Sequence, residues 1–345
     1  MRADSGLLEV DSPAWREALD HVRHDVYHLP EYGTVDAGGD GRPVAFLHRE
    51  GDDLLLMPLV LREIEGTELL DAVSPYGYPG PIANVDPGDV AFWTRATAAM
   101  VETLRAAGVV ACFVRLNPLL DGPRAALATV GRLVEHGPTV AVDLTLSAEE
   151  RWSNTRSNHR RQINRARREG IETVIDDWSL LPDFIAIYHE TMKRVGAIDF
   201  YFFDQAYFDA LRTLLADRLH LLVARQGDQT LAGALVFETD GIVQYHLGAT
   251  RDDALALQPM KLVLTEAMAW GAERGDRVLH LGGGVGGTED PLLHFKVGFS
   301  PWTLPYATWR ICVNPEEYAR LVAERAPQAD PDDLGAFFPA YRRGA

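Results

Sequence analysis

The sequence predicts an α/β protein built from two copies of one α/β unit. Segments typical of β-strands alternate with segments of helical periodicity along most of the 345 residues. A chain of this length with 47% hydrophobic residues suits two compact domains better than one. Residues 43–117 and residues 219–284 also follow the same order of three strands, a loop, a helix and a fourth strand. This order indicates an internal repeat.

The first unit is predicted from apolar runs separated by turn residues. A nearly all-apolar run at 54–61 indicates a strand with both faces covered. The loop from Ser74 to Pro81 is rich in proline and glycine and indicates a stiff turn. The predicted elements are strands at 7–10, 44–47, 54–61, 68–73, 109–116 and 140–144, and helices at 12–23, 89–107 and 124–136.

Residues 147–170 have the most distinctive local composition of the chain. Ser147 and Glu150 form a capping box for a helix. On a helical wheel, Arg156, Arg160 and Arg167 lie beside the apolar face and are candidates for gripping a phosphate or carboxylate. The alternative is a soluble amphipathic helix. The predicted inner face comprises Trp152, His159, Ile163, Ala166 and Gly170, and the opposite, solvated face comprises Arg161, Arg165 and Arg168.

The second unit is also predicted to contain alternating strands and helices. An aromatic loop at 196–203 separates its first two helices. The residues from Ala326 onward are rich in proline and aspartate and are expected to wrap the surface. The predicted elements are strands at 171–175, 219–224, 230–238, 242–247, 278–281 and 306–313, and helices at 181–195, 204–216, 258–272 and 316–325.

A glycine-rich stretch after the strand at 278–281 carries the main candidate for chemistry. Asp290 and Pro291 are typical of a helix start, as N-cap and first helical residue. Lys296 then follows between Phe295 and Val297, inside an apolar run. A fixed positive charge at the floor of a cavity stabilises the oxyanion that forms when an acyl carbonyl is attacked. The alternative is a lysine that reaches past apolar neighbours to water.

Several segments together resemble the Fem family, the peptidoglycan-bridge aminoacyltransferases, and the related FemAB-like and GNAT-like acyltransferases. The Tyr-Gly-rich loop at 74–81 and the arginine-rich helix after residue 147 are similar to segments of that family. The remaining segments are Tyr245-His246-Leu247-Gly248-Ala249, Leu281-Gly282-Gly283-Gly284 and Phe295-Lys296-x-Gly298-Phe299.

This resemblance implies a fold of two tandem GNAT-like (N-acetyltransferase-like) domains with a groove between them. The expected domains are residues 1–146 and residues 147–313, with a C-terminal helix in 314–345 that packs back on the first domain. No heptad insertion is present, so the chain resembles the compact members without a coiled-coil arm.

The resemblance also implies an aminoacyltransferase, which moves an amino acid from aminoacyl-tRNA to the amine of a peptide-like acceptor. The acceptor would be a cell-wall precursor or a small peptide or natural product. Lys296 is the expected catalytic residue, and Phe295 would hold its stem and stack on the terminal base of the tRNA. The other expected substrate-binding residues are Tyr245, His246, Tyr76, Tyr201, Arg156, Arg160 and Arg167. The proton of the attacking amine is taken by the substrate itself or by Asp71, His246 or His294.

Composition argues against several other classes of protein. The net charge of −17 argues against a broad nucleic-acid footprint and a DNA partner, but it is compatible with a protein that grips the end of an RNA. The chain contains no run of 18 apolar residues, so no membrane span is expected. Cys112 and Cys312 form no CxxC motif, and no secretory signal is visible, so a reducing cytoplasm is expected. No metal site is expected, because His189-Glu190 is followed by Lys193 where a zincin has its second histidine.

Two alternatives to transfer from tRNA remain open. The first is an acyl-CoA-dependent N-acyltransferase. Residues 248–259 lack the glycine pair that cradles the CoA pyrophosphate, and Asp252 and Asp253 would repel it. No cofactor is therefore expected besides aminoacyl-tRNA as co-substrate, with CoA only in this alternative. The second is a binding module without catalysis, in which Lys296→Ala leaves function intact.

Overall fold

A computed structural model describes residues 3–39, 41–120 and 122–343 of the chain. The chain divides into two compact units. The first comprises residues 1–136 and 306–345, and the second comprises residues 137–305. Each unit contains one mixed β-sheet flanked by helices.

The strands and helices follow each other in the order that the internal repeat predicts. The first unit begins with β1 (Asp4–Glu9), α1 (Pro13–Asp20), α2 (Pro30–Ala37), β2 (Arg42–Glu50), β3 (Asp53–Glu63), β4 (Leu70–Val73), β5 (Ile82–Ala83), α3 (Val90–Ala106), β6 (Val109–Arg115), α4 (Arg124–Leu127) and β7 (Arg132–Glu135). The second unit contains β8 (Thr139–Asp143), α5 (Ala148–Asn154), α6 (Ser157–Arg168), β9 (Glu172–Ile175), α7 (Leu181–Arg194), α8 (Gln205–Leu215), β10 (Leu219–Gln226), β11 (Gln229–Thr239), β12 (Ile242–Thr250), α9 (Pro259–Arg274), β13 (Val278–Gly282), α10 (Pro291–Lys296) and β14 (Thr303–Leu304). The chain then returns to the first unit with β15 (Ala307–Cys312) and α11 (Pro315–Arg325).

The first five strands of the two sheets have the same order and the same directions. The strand order is β1-β2-β3-β4-β6-β15-β7 in the first unit and β9-β10-β11-β12-β13-β8-β14 in the second, and β5 pairs with β3 outside this order. In each sheet the fourth and fifth strands pair in parallel. Parallel neighbours need a crossover connection, and α3 and α9 supply it. The predicted duplication of one α/β unit is therefore present in the fold.

Each sheet buries one apolar layer under its crossover helix. In the second unit, α9 packs Leu262, Val263 and Ala267 against strand residues such as Val236 and Leu279. In the first unit, the corresponding cluster joins the inner face of α3 to β2, β3 and β6. Among the described residues, no helix has the length and apolar character needed to cross a bilayer.

The two units differ from the predicted domains by two strands. Strand β8, expected in the first domain, pairs with β13 in the second sheet. Strand β15, expected in the second domain, pairs with β6 and β7 in the first sheet. Local patterning shows that these segments are strands but does not show which sheet receives them. Helix α11 packs Tyr318, Leu321 and Val322 against a cluster of the first unit.

Two predicted helices have different bounds in the structure. The helix predicted at 124–136 is the single-turn α4 followed by β7, which pairs with β15 at the sheet edge. The helical segment predicted within 147–170 is two helices, α5 and α6. They are separated at Thr155, which is extended and buried. The predicted inner face is confirmed for His159, Ile163 and Ala166, which are buried on α6. Trp152 is half-buried on α5, and Gly170 is exposed after the end of α6.

Candidate active site

The parallel ladder between β12 and β13 is short, and the place beyond it where the two strands no longer pair is here called the opening. The ladder joins Ile242–Gln244 to Val278–His280. Beyond it, β12 continues to Thr250 paired with β11, whereas β13 ends at Gly282. Tyr245, the next residue on β12, and Gly283, the first residue after β13, flank this opening.

Helix α10 places Lys296 at this opening. The side chain of Asp290 caps α10 by accepting a hydrogen bond from the backbone N–H of Leu293 (2.9 Å), and Pro291 is the first helical residue, as the sequence predicts. Lys296 ends the helix and donates from Nζ to the carbonyl oxygen of Gly283 (2.7 Å). The same Nζ lies 5.7 Å from the ring centroid of Tyr245. The ammonium therefore lies between the two strands just beyond their ladder.

Lys296 is buried and does not extend to water. Only 7% of the residue is exposed, which argues against the alternative of a lysine reaching to solvent. Burial lowers the pKa of the Lys296 ammonium to about 8, and the nearby charge of Asp290 opposes this shift. At neutral pH the group is still mostly protonated. An ammonium has three donors, and the described residues take one of them, through Gly283.

Lysine is rare in this chain, and two of the three lysines are buried close to Phe295. The 33 basic residues include three lysines, at positions 193, 261 and 296, and 33 − 3 = 30 are arginines. Lys261 is 4% exposed, its Nζ donates to the side-chain oxygen of Gln162, and it lies 5.9 Å from the ring centroid of Phe295. Burial lowers the pKa of Lys261 as well. The sequence reasoning missed Lys261, although the scarcity of lysine is a signal that could have found it.

Phe295 is half-buried and packs among aromatic side chains. Its ring centroid lies 5.3 Å from that of Phe299 and 5.7 Å from that of His159. The Nε2 of His159 is 3.0 Å from the carbonyl oxygen of Phe295. A Cβ on Gly298 would lie 2.2 Å from that same Nε2, so this packing explains the glycine in Phe295-Lys296-x-Gly298-Phe299. Stacking of Phe295 on a tRNA base stays a prediction.

Tyr245 and His246 are neighbours in sequence but contact different parts of the second unit. The Tyr245 hydroxyl lies 4.0 Å from the sulfur of Met260 on α9, and burial raises the pKa of this hydroxyl. The Nε2 of His246 lies 2.8 Å from the hydroxyl of Tyr207 on α8. Burial lowers the pKa of His246 to about 3, which makes it a weak base. Tyr245 therefore joins Lys296 at the opening, and His246 does not.

The three candidate arginines have different surroundings. Arg156 is exposed, and its Nη1 lies 3.3 Å from the Nε2 of His294 on α10. Arg160 donates to the carbonyl oxygens of Trp152, Ser153 and Thr155, which end helix α5. Arg167 forms an ion pair of 2.8 Å with Glu266 on α9. Structural contacts account for Arg160 and Arg167, whereas Arg156 lies beside the helix that carries Lys296.

The two candidate tyrosines belong to different units. Tyr76 lies in the first unit, where its carbonyl oxygen accepts a hydrogen bond from the Tyr32 hydroxyl (3.0 Å). Tyr201 lies in the second unit, where its carbonyl oxygen accepts from the Tyr188 hydroxyl (2.8 Å). The aromatic loop around Tyr201 reaches β12 through Tyr207, which stacks on Phe203 at 4.0 Å and contacts His246.

The candidate general bases are not equally suited to that role. Asp71 is fully buried in the first unit, where Arg62 donates to its Oδ1 (2.8 Å) and Arg342 to its Oδ2 (2.6 Å). This carboxylate therefore anchors the C-terminal segment. His246 is a weak base, as described above. His294 is exposed on α10 beside Arg156 and stays a candidate.

Comparison with known proteins supports the fold and locates the similarity. Residues 153–296 match the family model described as an acetyltransferase (GNAT) domain. That match lies within the second unit and ends at Lys296. No curated protein sequence matches this chain significantly.

Solved structures with low sequence identity share the architecture. The crystal structure of FemX superposes with a TM-score of 0.73 at 13% identity, covering 93% of this chain and 99% of that chain. The C-terminal domain (DUF2156) of a putative lysylphosphatidylglycerol synthetase from Agrobacterium fabrum gives a TM-score of 0.55 at 17% identity, covering 86% and 90% of the two chains. L-PGS from Bacillus licheniformis gives 0.55 at 15% identity, covering 88% and 92%. The chain thus has the fold of FemX, with two GNAT-like units in tandem.

Proposed function

We propose that this protein is an acyltransferase that moves an aminoacyl group from aminoacyl-tRNA to the amine of a peptide-like acceptor. The observation that carries the proposal is the buried Lys296 ammonium at the opening between β12 and β13. A buried cation without a carboxylate partner costs stability, so its presence requires a reason. In the described parts of the chain, Lys296 forms no ion pair, and its hydrogen bond goes to a neutral carbonyl.

The chemistry of the proposed step suits such a site. The neutral amine of the acceptor attacks the ester carbonyl that joins the amino acid to the terminal ribose. A C–N bond forms, the carbonyl oxygen becomes an oxyanion, and the ester C–O bond then breaks. The proton of the amine passes to the departing ribose oxygen. The ester is already activated, so the protein has to place the two substrates and stabilise the oxyanion.

Lys296 supplies the charge for the oxyanion. With a pKa of about 8, the ammonium is protonated at neutral pH and has donors free of protein partners among the described residues. In a site with little water, a fixed positive charge stabilises a developing negative charge more strongly than it would in bulk solvent. Phe295, which precedes Lys296 in the chain, and Tyr245, whose ring centroid lies 5.7 Å from Nζ, shield this charge from water.

The family resemblance supports an amino acid as the transferred group. The Fem family consists of aminoacyltransferases, and the segments that carry the resemblance include Tyr245, Gly283 and Lys296, which meet at the opening. One structural neighbour bears the name of a putative lysylphosphatidylglycerol synthetase, and this name also denotes an aminoacyl product. These likenesses support the proposal, and the donor requires its own test.

An acyl-CoA donor is the second candidate, and one structural finding favours it. The aspartates expected to repel a pyrophosphate are neutralised, because Asp252 pairs with Arg194 and Asp253 pairs with Arg251. The match of residues 153–296 to an acetyltransferase domain points the same way. The sequence argument against CoA is therefore weaker than the residue types alone suggest.

A competition between the two donors tests the proposal. Total tRNA charged with labelled amino acids is offered together with an amine extract that contains muropeptides and small peptides. We expect label in a small product, sensitive to ribonuclease treatment of the charged tRNA and absent with Lys296→Ala. Release of free thiol from acyl-CoA with the same extract, without transfer from tRNA, would replace this proposal with the CoA alternative. No product from either donor, together with unchanged tRNA binding by Lys296→Ala, would favour a binding module.

A further inference from the structure

The outward face of α6 carries three exposed arginines, Arg161, Arg165 and Arg168, here called the outer arginine row. On a helical wheel they lie within about 60° of one another, opposite the buried side of the helix. Among the described residues, Arg161 hydrogen-bonds only to Asn158, and Arg165 pairs with Glu169, both one turn away on the same segment. Arg168 has no hydrogen bond or ion pair within the described residues. The row therefore has no structural role in joining α6 to the rest of the unit.

The local charge around the row is opposite to that of the whole protein. Residues 151–168 contain seven arginines and no acidic residue, whereas the chain has a formal net charge of −17. Arg161 and Arg165 are four residues apart, and Arg165 and Arg168 are three apart, so their charges repel along the helix. A solvated helix does not need this arrangement, and a polyanion would relieve the repulsion.

Helix α6 begins beside the candidate active site and leads away from it. The backbone N–H of Arg156 donates to the carbonyl oxygen of Gly298 (2.8 Å), next to the Phe-Lys pair of α10. The guanidinium of Arg156 lies beside His294 on the same helix. From Arg161 to Arg168 the row extends about 10 Å along the helix, at 1.5 Å per residue.

We propose that the outer arginine row is the docking surface for the acceptor arm of aminoacyl-tRNA. This inference rests on the proposed function, because it names the partner surface of the same reaction. The single-stranded end of the tRNA would pass Arg156 toward Lys296, and the phosphates of the adjoining duplex would lie on the row. Guanidinium groups bind phosphates with paired hydrogen bonds and read no base sequence. Docking on the row is therefore independent of the tRNA sequence and sensitive to salt.

Binding of labelled total bacterial tRNA tests the row directly. The variant combines Arg161→Gln, Arg165→Gln and Arg168→Gln. We expect its Kd for tRNA to rise on the order of 10–100-fold at ~150 mM salt, and the slope of log affinity against log salt to fall by about 2–3. The control combines Arg42→Gln, Arg132→Gln and Arg320→Gln, which removes the same charge from exposed positions of the first unit. The control should bind like wild type.

Three further measurements separate this inference from the proposed function. Lys296→Met should bind tRNA like wild type, since it changes the reaction step alone. The aminoacyl-adenosine released from charged tRNA by a pyrimidine-specific ribonuclease should be a much weaker donor than charged tRNA, and equally weak for wild type and the triple variant, because it cannot contact the row. Equal affinity of the triple variant and wild type for tRNA would overturn the docking proposal alone. Wild type that binds no tRNA would overturn both proposals.

Anionic lipid is the competing partner for a basic helix face, and vesicles decide between the two. Vesicles of phosphatidylglycerol and phosphatidylcholine are mixed with wild type and the triple variant in a sedimentation assay. We expect no difference between the two proteins at ~150 mM salt. Vesicle binding that is lost in the triple variant while tRNA binding persists would assign the row to a membrane surface and overturn the docking proposal.

Discussion

The two units share one strand order but differ in structure at the end of their parallel strand pair. In the first unit, the chain continues past β4 along β6, where the N–H of Ser74 donates to the Phe113 carbonyl (2.8 Å) and the N–H of Gly80 donates to the Arg115 carbonyl (2.9 Å). The loop at 74–81 thereby closes the space. In the second unit, the ladder ends at Gln244 and His280, and the Lys296 ammonium lies beyond it.

The helix that follows the fifth strand shows the same contrast. In the first unit, α4 places Ala126 and Leu127 in the apolar cluster beside Trp93. In the second unit, α10 places Lys296 at the opening. Asp71 is a fully buried charge of the first unit, and two arginines neutralise it. In the described residues, the first unit thus pairs a buried charge with opposite charges, whereas the second unit leaves the Lys296 ammonium without an ion pair.

The largest effect is expected from replacing Lys296 in the second unit, and it should be on the rate of transfer. We expect Lys296→Met to lower kcat for transfer by about 10²–10³-fold, because an oxyanion loses its positive partner. The melting temperature should stay the same or rise, since a buried ammonium is removed. Steady-state rates and thermal melts measure both. The control is Lys193→Met, which removes an exposed lysine of α7. A normal rate with Lys296→Met would remove the basis of the comparison.

The corresponding change in the first unit should act on stability. Asp71→Asn leaves Arg62 and Arg342 facing a neutral amide, so we expect the free energy of unfolding to fall by about 2–4 kcal/mol. Urea unfolding measures this change. Asp228→Asn removes an exposed carboxylate paired with Arg225 and should alter stability by less than ~1 kcal/mol. If Asp71→Asn were as stable as wild type, the buried charge of the first unit would not have a structural role.

A substitution with a smaller expected effect tests whether the position of Tyr245 beside the opening matters for the reaction. A Cβ at Gly248 would lie 1.8 Å from the Tyr245 hydroxyl oxygen, so Gly248→Ala forces the ring away from Lys296. We expect the rate of transfer to fall by roughly tenfold, since displacement of groups at a site weakens their positioning. The control is Gly6→Ala in β1, where a Cβ meets no atom within 4 Å. Equal rates for Gly248→Ala and wild type would show that Tyr245 has no part in the site.

Much of this contrast could be predicted from the sequence, because it depends on local signals. The Asp290-Pro291 start of α10, the strand before it and the position of Lys296 in an apolar run are local patterns, and the structure confirms them. The repeat of strands and helices was visible for the same reason. The sequence could not show that the corresponding place in the first unit is closed, because this closure depends on hydrogen bonds between the loop at 74–81 and β6.

Long-range pairing explains the other differences. The placement of β8 and β15 depends on which sheet has a vacant neighbour beside its fifth strand, and local patterning carries no such information. The structural roles of Arg160 and Arg167 depend on the break between α5 and α6 and on Glu266 of α9. The wheel placed both arginines correctly beside the inner face but could not show their partners.

The pH dependence of single-turnover transfer tests the central claim most directly, that the Lys296 ammonium acts in the reaction. Its pKa of about 8 predicts that the wild-type rate constant falls as pH rises through 8, because the oxyanion loses its charged partner. Arginine stays protonated across this range, so Lys296→Arg should lose that descending limb up to about pH 10, whatever its absolute rate. A descending limb at the same pH in both proteins would contradict the claim.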